Sequence, residues 1–482
     1  AEDFRTKGPV TTRLAVKGVM TEGGRQALNI GLMRYFRGAV PVTADITGHR
    51  GGLLKADVQV DFTPALLNVP IVNLEKTPGQ AASGHVVVNF APGDIPTDET
   101  IRITGPVLNA SGSATFNRDG SLNVLSFPSV KMGALNDLSF QLTRTAHSND
   151  YVLRGHSLDG SKIGRNGTNE APGGANATVE AQDDTPDGHF RISAKLDRLA
   201  MRDNVAIAPF NLDLAGNGSR LSGLTLNGDL TLAGKSAPIA ADLETSAAGR
   251  KVTLTAGDTG MLARGLFAFQ SLRGGQMTAV VNLPGQAGDI VNPAALQADF
   301  SGTLTVRNFT IINQPFLARL FSAGSLTGLG DLMGGDGMTM DELNIPFTSK
   351  NNVISINNAR AVGRAIGASA DGYIDRPKGM LALKGSLIPA YGVNSLISNV
   401  PLLGDLLASR KGEGIFGITY SATGNSEQPT ISTNVLSMLT PGILRRIFEG
   451  HIPTKADAPS NLVAPPHGDA PANPPPPAKP QN

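Results

Sequence analysis

The chain has 482 residues, with 41 Lys or Arg against 40 Asp or Glu, so its formal net charge is +1. A protein without excess positive charge is a poor general binder of polyanions, and nucleic acid is therefore not an expected partner. The absence of Cys excludes disulfides, thiolate zinc sites and a Cys nucleophile. With 57 Gly and only 5% aromatic residues, the composition describes an aliphatic body punctuated by turns.

Alternation of apolar and polar residues is the recurring pattern along the chain. In GLTLNGDLTLAG, four Leu occupy even positions with Thr, Asn and Asp between them, which predicts a strand with one apolar face. Similar windows recur, separated by turn signals such as Asn117-Arg118-Asp119-Gly120, so the body is predicted to be many short antiparallel strands. The dipeptide Asn227-Gly228 is either a two-residue turn or a bulge inside one longer strand.

Three segments depart from the strand pattern and predict short amphipathic helices. The segment 258–264 begins with Asp258 or Thr259 as a capping residue. The segment 315–333 places apolar residues on one face after Pro315, and the segment 436–448 carries two Arg beside aliphatic residues. No uncharged run reads as a bilayer-crossing helix or a leader peptide, and the chain is expected to be a piece of a longer protein.

The predicted organisation has five parts. Residues 1–165 and 188–299 are β-rich segments, and the second contains a short helix near 258–266. Residues 166–187 have almost no large apolar side chain and predict a linker or long loop. Residues 300–450 form a C-terminal region with amphipathic helices. Residues 451–482 predict a disordered Pro-rich tail, either a spacer or a ligand for an aromatic groove.

The sequence contains none of the common catalytic or metal-binding motifs in a convincing context. The seven His are scattered without a metal-ligand spacing, and no nucleophile elbow of the GxSxG type is present. The stretch 412–417 matches GxGxxG but is followed by strand-like residues instead of a helix. Asp341 and Glu342 are neighbours on a predicted strand and point to opposite faces, so they are a poor acid/base pair. The expectation is a protein that is not an enzyme and that uses no metal or cofactor.

Residues 300–449 contain an ordered series of distinctive phrases: SGTLTVRNFTI (301–311), PFLARLFS (315–322), NNARAVGRAIGASADGYID (357–375), GSLIPAYGVNSLISNVPLLGDLL (385–407), GEGIFGITYSATGNSEQPTISTN (412–434) and LSMLTPGILRRIFE (436–449). This series resembles the C-terminal region of the AsmA-like family of bacterial envelope proteins. Upstream, Asp258–Leu283 resembles an internal unit of the same proteins more loosely.

This resemblance implies a mainly β fold, a long twisted antiparallel sheet folded into an open hydrophobic groove, with a few short amphipathic helices near the C-terminal end. It further implies a periplasmic, bridge-like protein that carries phospholipids between the inner and outer membranes. Its partners would be phospholipids and one or both membranes, with an envelope protein as a further partner. An N-terminal inner-membrane anchor, typical of the family, would lie outside this chain.

Two sets of site residues follow from the alternation and the resemblance together. The expected lipid-groove lining comprises Leu224, Leu226, Leu230, Leu232, Val252, Leu254, Val281, Leu304, Val306, Leu381 and Leu383. The expected membrane-contact helices carry Phe316, Leu320, Phe321, Leu444, Arg445, Arg446 and Phe448. Both helices could instead cover the open end of the sheet.

Two further alternatives stay open at this stage. Periodicity alone does not separate an open groove from the closed core of an ordinary β-sandwich, because both need one apolar face. A structural or assembly factor for outer-membrane proteins, acting by β-strand addition, is the alternative function.

Overall fold

Strands make up most of the computed structural model, as the alternating sequence predicts. The structure describes residues 10, 12–27, 36–49, 52–69, 74–163, 188–217, 220–246, 249–283, 299–312, 337–363, 366–389, 418–426 and 429–434. The strands are β1 Thr12–Met20, β2 Phe36–Arg37, β3 Val40–His49, β4 Gly52–Asp61, β5 Leu66–Val69, β6 Leu74–Lys76, β7 Ser83–Ala91, β8 Ile95–Thr104, β9 Leu108–Phe116, β10 Leu122–Met132, β11 Asn136–Arg144, β12 Ser148–Asp159, β13 His189–Ala200, β14 Ala206–Asn217, β15 Arg220–Leu232, β16 Lys235–Ser246, β17 Gly249–Ala256, β18 Leu272–Leu283, β19 Phe300–Ile311, β20 Met338–Lys350, β21 Val353–Gly363, β22 Ile366–Asp375, β23 Met380–Pro389, β24 Ile418–Asn425 and β25 Thr430–Asn434.

Two α-helices accompany these strands in the described part of the chain: α1 (Glu22–Ala27) and α2 (Thr259–Phe267). The sequence predicts α2, and the carboxylate of Asp258 caps it by accepting a 2.9 Å hydrogen bond from the Met261 backbone N–H. Helix α1 was not predicted. The two predicted helices at 315–333 and 436–448 lie outside the described residues.

One large sheet contains 22 of the strands, and β2, β5 and β6 form a separate small sheet. The chain divides into two compact units, the first comprising residues 1–352 and 361–365 and the second residues 353–360 and 366–482. The predicted fold class, mainly β with one long sheet, is confirmed. The predicted division into two β-rich segments, a C-terminal region and a tail stays a prediction. The predicted linker at 166–187 lies outside the described residues.

In the first unit, successive strands pair as neighbours in a ladder. It runs from β1 through β3, β4, β7, β8 and β9 to β10, and then strand by strand to β20. Among the described strands, β1 pairs only with β3, and we call this the free end of the described ladder. Its pairs are antiparallel except one: β12 and β13 run parallel. Parallel neighbours need a long connection, which residues 160–188 supply.

Two turn signals in the sequence, 117–120 and Asn227-Gly228, lie in described parts of the chain. The predicted turn at 117–120 joins β9 to β10, with Gly120 at φ 82° and the Asn117 N–H donating to the Ser121 carbonyl at 2.8 Å. The dipeptide Asn227-Gly228 lies inside β15 and is not a turn. The β14–β15 register shifts opposite it, between Ile207 and Phe210, and the extra residue of this bulge belongs to β14 and not to β15. A side chain at position 228 would collide with the Pro209 carbonyl, which explains the Gly.

The second unit contains β22 to β25 and residues 353–360 of β21. Strands β22, β23, β24 and β25 pair antiparallel in chain order. A small buried cluster joins Val353, Tyr373 and Ala382. Because Ala382 points to one face of β23, Leu381 and Leu383 point to the opposite face, where both are partly exposed.

Candidate functional site: an apolar face with three rows

Cross-strand partners in the first unit arrange the apolar side chains in rows that run across the strands. Residues directly opposite each other in neighbouring strands share a face of the sheet, so the register defines each row without reference to side-chain shape. Three such rows lie on one face, two residues apart along each strand that they share, except on β10, where a bulge separates Phe127 from Val130 by three residues. We call them the buried row, the middle row and the long row.

The buried row crosses β10 to β20 and is the most tightly packed. Eight of its eleven members are at most 8% exposed. Its members are Val130, Leu138, Gly155, Leu196, Phe210, Gly228, Ile239, Ala256, Met277, Val306 and Leu343.

The middle row crosses the same eleven strands, and every member is apolar. Only Ala194 and Ala241 are buried, and the larger side chains stay partly exposed. Its members are Phe127, Phe140, Leu153, Ala194, Leu212, Leu226, Ala241, Leu254, Ala279, Leu304 and Ile345.

The long row continues to the free end of the ladder and crosses all 17 strands from β1 to β20. Only Ala114 and Leu142 are buried, and Leu14 at the free end is 52% exposed. Its members are Leu14, Ile46, Ala56, Val88, Glu99, Ala114, Leu125, Leu142, Tyr151, Ile192, Leu214, Leu224, Leu243, Val252, Val281, Gly302 and Phe347, with Leu243 placed by the alternation of β16.

Two elements cover the apolar face near the two ends of the buried row. Helix α2 packs beside the start of β18, where the Thr259 hydroxyl donates to the Gly275 carbonyl at 2.9 Å. Its Gly265 lies against Val205, and an ion pair of 3.4 Å joins Arg264 to Asp203. At the other end of the row, Val130 belongs to a core cluster with residues of the β5 segment. The covers therefore close one margin of the apolar face.

Two buried cations fasten the cover formed around the small sheet. The ammonium of Lys76 donates to three carbonyls, those of Ala65 at 2.8 Å, Thr77 at 3.2 Å and Thr63 at 3.3 Å. Burial lowers the pKa of Lys76, against the smaller opposing effect of Asp61. The guanidinium of Arg25 donates to the Gly38 carbonyl at 2.8 Å. These contacts use the cations to satisfy backbone carbonyls, which is a packing role.

The opposite face of the sheet carries mainly polar side chains. On β15, Thr225 and Asn227 are exposed, and on β17 Lys251 pairs with Glu244 at 2.6 Å. Two His–Asp hydrogen bonds also lie outside the rows: His85 with Asp57 at 2.8 Å, and His156 with Asp197 at 3.0 Å. The His85 bond holds the pKa of Asp57 below its ordinary value. No cluster of metal-ligating side chains occurs in the described part of the chain.

Seven of the eleven predicted groove residues fall on these rows, and four do not. Seven lie on the three rows: Leu224, Val252 and Val281 on the long row, Leu226, Leu254 and Leu304 on the middle row, and Val306 on the buried row. Leu230 and Leu232 share the same face beyond Gly228 on β15. Leu381 and Leu383 belong to the second unit, and all seven predicted membrane-contact residues lie outside the described part.

Burial separates these residues further. Leu230 is 0% exposed and Val306 is 2% exposed, so neither offers surface to a ligand. Sequence reasoning missed the row members on β10 to β14, although FQLT at 140–143 and NLDL at 211–214 show the same alternation. It also missed Glu99, because its place on the apolar face depends on pairing with Val88 and Ala114.

The fold and this face define the protein as a long open β-sheet with one face that is largely apolar and partly exposed. Comparison of the chain with protein-family models, curated proteins and solved structures gives no match. Among the described residues, no helix has both the length and the apolarity to cross a bilayer.

Proposed function

We propose that the protein is a non-enzymatic lipid conduit that carries phospholipids between the inner and outer membranes of a bacterial envelope. The observation that supports this most strongly is the combination of two partly exposed stripes: the middle row, which is apolar throughout, and the long row, in which Glu99 is the one charged residue. The sequence resemblance to the AsmA-like family supports the same proposal, including the periplasmic location and an inner-membrane anchor outside this chain.

The physical need for such a surface is large. Each CH₂ group of an acyl chain exposed to water costs about 0.8 kcal/mol, so extracting a two-chain phospholipid unaided costs on the order of 20 kcal/mol. A stripe of aliphatic side chains removes much of that cost at every step. At about 4.8 Å between strands, 17 strands give the long row a contour of about 75 Å. Lipids could therefore move along it without returning to water.

The burial pattern favours an open surface over a closed sandwich core. In a sandwich, the inward side chains of both sheets interdigitate and lose nearly all exposure. The buried row has this character, and α2 and the small sheet lie near its two ends. The middle and long rows retain exposure at Leu212, Leu226 and Leu254, and at Leu214 and Leu224. Acyl chains are the apolar material that we propose to cover them.

A surface that binds acyl chains needs apolar side chains but no specific polar groups. Acyl chains are recognised by dispersion and by exclusion of water, neither of which needs polar specificity. The middle row carries no polar side chain, which suits a path along which a lipid must not be held at one place. The segments 315–333 and 436–448 are proposed as the contacts with a membrane surface.

One observation favours the second candidate, an assembly factor for outer-membrane proteins. Strand β1 has β3 as its only partner among the described strands, and Leu14 and Val16 are 52% and 42% exposed. A free strand edge flanked by exposed apolar side chains is suited to the addition of a strand from another protein. This candidate places function at the end of the ladder instead of along its face.

The test is a pair of variants on adjacent residues of β15. Leu226→Asp adds a charge to the middle row, and Asn227→Asp adds the same charge to the exposed polar face. Fluorescent phospholipid transfer between donor and acceptor vesicles is measured with each purified protein. We expect Leu226→Asp to lower the transfer rate at least tenfold, because an ionised carboxylate interrupts the apolar path, and Asn227→Asp to leave it unchanged.

Two results would contradict the proposal. Equal transfer by both variants would show that the middle row is not the path. The second result has two parts: no variant and no wild type transfers lipid, and the substitution Val16→Lys abolishes binding to an unfolded outer-membrane protein. This result would favour the assembly factor instead. Thermal unfolding of each variant, followed by circular dichroism, separates loss of transfer from loss of fold.

A further inference from the structure

Glu99 is the one acidic residue in the three rows of the apolar face. On the long row its neighbours across the strands are Val88 of β7 and Ala114 of β9, and Ala114 is 2% exposed. Along β8, Ile101 follows it on the same face. A carboxyl group is therefore set among aliphatic side chains, three strands from Ile46 and two from Leu125 along the row.

This carboxyl group has no partner in the described part of the protein. No hydrogen bond or ion pair joins Glu99 to another described residue, and its surroundings act on it through loss of hydration alone. Burial raises the pKa of Glu99 above its ordinary value of 4.5. The neighbouring acid, Asp98, differs: it points to the polar face and accepts a 2.7 Å hydrogen bond from the Asn89 side-chain amide.

An unpaired carboxylate in an apolar setting is costly, and the cost falls when a cation of opposite charge comes within hydrogen-bond distance. No described side chain provides that cation. A ligand that brings its own cation, together with apolar chains to lie on the long row beside Glu99, satisfies both parts of the site. Primary ammonium groups suit it best, because they donate up to three hydrogen bonds to carboxylate oxygens.

We propose that Glu99 is a head-group site that selects lipids bearing a primary ammonium, such as an ethanolamine phospholipid, from lipids whose head groups carry no cation. The inference rests on the proposed lipid-carrying function and adds the substrate class to it. Acyl chains lie along the middle and long rows, and the ammonium binds the carboxylate at β8. A lipid without the cation would pass Glu99 with the carboxylate still unpaired, and would be held less tightly there.

The test measures which lipids the protein retains. The purified protein is incubated with vesicles of equal phosphatidylethanolamine and phosphatidylglycerol and is then separated from them. The bound lipids are counted by mass spectrometry. We expect about tenfold enrichment of the ethanolamine lipid in the wild type, the size of one charge-assisted hydrogen bond. Glu99→Gln keeps the side-chain size and should abolish the enrichment while total bound lipid is unchanged.

Asp98→Asn is the matched control, because it removes the same charge from the polar face of the same strand and should preserve the enrichment. Unchanged enrichment in Glu99→Gln, with normal total lipid, would overturn the head-group site and leave the lipid conduit standing. Failure of the wild type to retain any lipid would overturn the conduit and this inference together. Equal loss of enrichment in Asp98→Asn would show a general charge effect and would also overturn the site.

Discussion

The buried row and the long row lie on the same face of the same strands, four residues apart in most of them, yet they differ in what covers them. Eight of eleven buried-row members are at most 8% exposed, whereas only two of the 17 long-row members are buried. Both rows arise from the same alternation of apolar and polar residues. The comparison teaches that alternation decides which face is apolar, while the covers, α2 and the small sheet, decide where that face is closed.

The largest expected stability effect contrasts two Leu of β15. Leu230 is 0% exposed. The substitution Leu230→Ala should therefore lower the unfolding free energy of the protein by about 3 kcal/mol, because it leaves a cavity that solvent does not fill. Leu224 is partly exposed on the long row. The substitution Leu224→Ala should lower the unfolding free energy by no more than about 1 kcal/mol. Urea denaturation of the two variants measures both. Equal losses would mean that the long row is a closed core.

A smaller effect is expected from loosening the cover itself. Asp258→Ala removes the carboxylate that caps α2 and should lower the unfolding free energy by about 1 kcal/mol. Hydrogen exchange should rise in α2 and in the adjacent start of β18 more than in β15 near Leu224. Unchanged exchange in α2 would show that the cap does not hold the cover in place.

The pH dependence of stability should sharpen the comparison at Glu99. Its raised pKa means that the protonated form is favoured in the folded state, so Glu99 contributes stability at low pH that is lost as pH rises through its folded pKa. Glu99→Gln should therefore melt at the same temperature as the wild type below pH 4.5 and at a higher temperature at neutral pH. Melting curves of both proteins across this range are the measurement. A wild type that is the more stable at neutral pH would contradict the unpaired state of the carboxyl.

The smallest effect is expected on the polar face. The ion pair between Lys251 and Glu244 joins two exposed side chains, and such pairs contribute about 0.5 kcal/mol or less. Lys251→Ala should consequently change neither the unfolding free energy beyond that amount nor lipid transfer. A large loss of transfer would show that the polar face takes part in the path.

The sequence predicts the strands, helix α2 with its Asp258 cap, and the shared face of residues such as Leu226 and Leu254, because each depends on local periodicity or capping. It does not predict the parallel pairing of β12 with β13, which depends on a long connection. It also does not distinguish Leu226 from Leu230, since the two alternate alike along β15 and only tertiary packing makes Leu230 fully buried. Ala241 and Ala279 carry no bulky side chain, and only the register identifies them as row members.

The most direct test of the open apolar face is photocrosslinking at single positions in the presence of phospholipid vesicles. A photoreactive residue is placed at Leu226 or Val281 on the open rows, at Val306 on the buried row, and at Thr225 on the polar face. Lipid adducts are then read by mass spectrometry. The account predicts adducts at Leu226 and Val281 and none at Val306 or Thr225. A folded protein without adducts at Leu226 and Val281 would contradict it and would make the face a closed core.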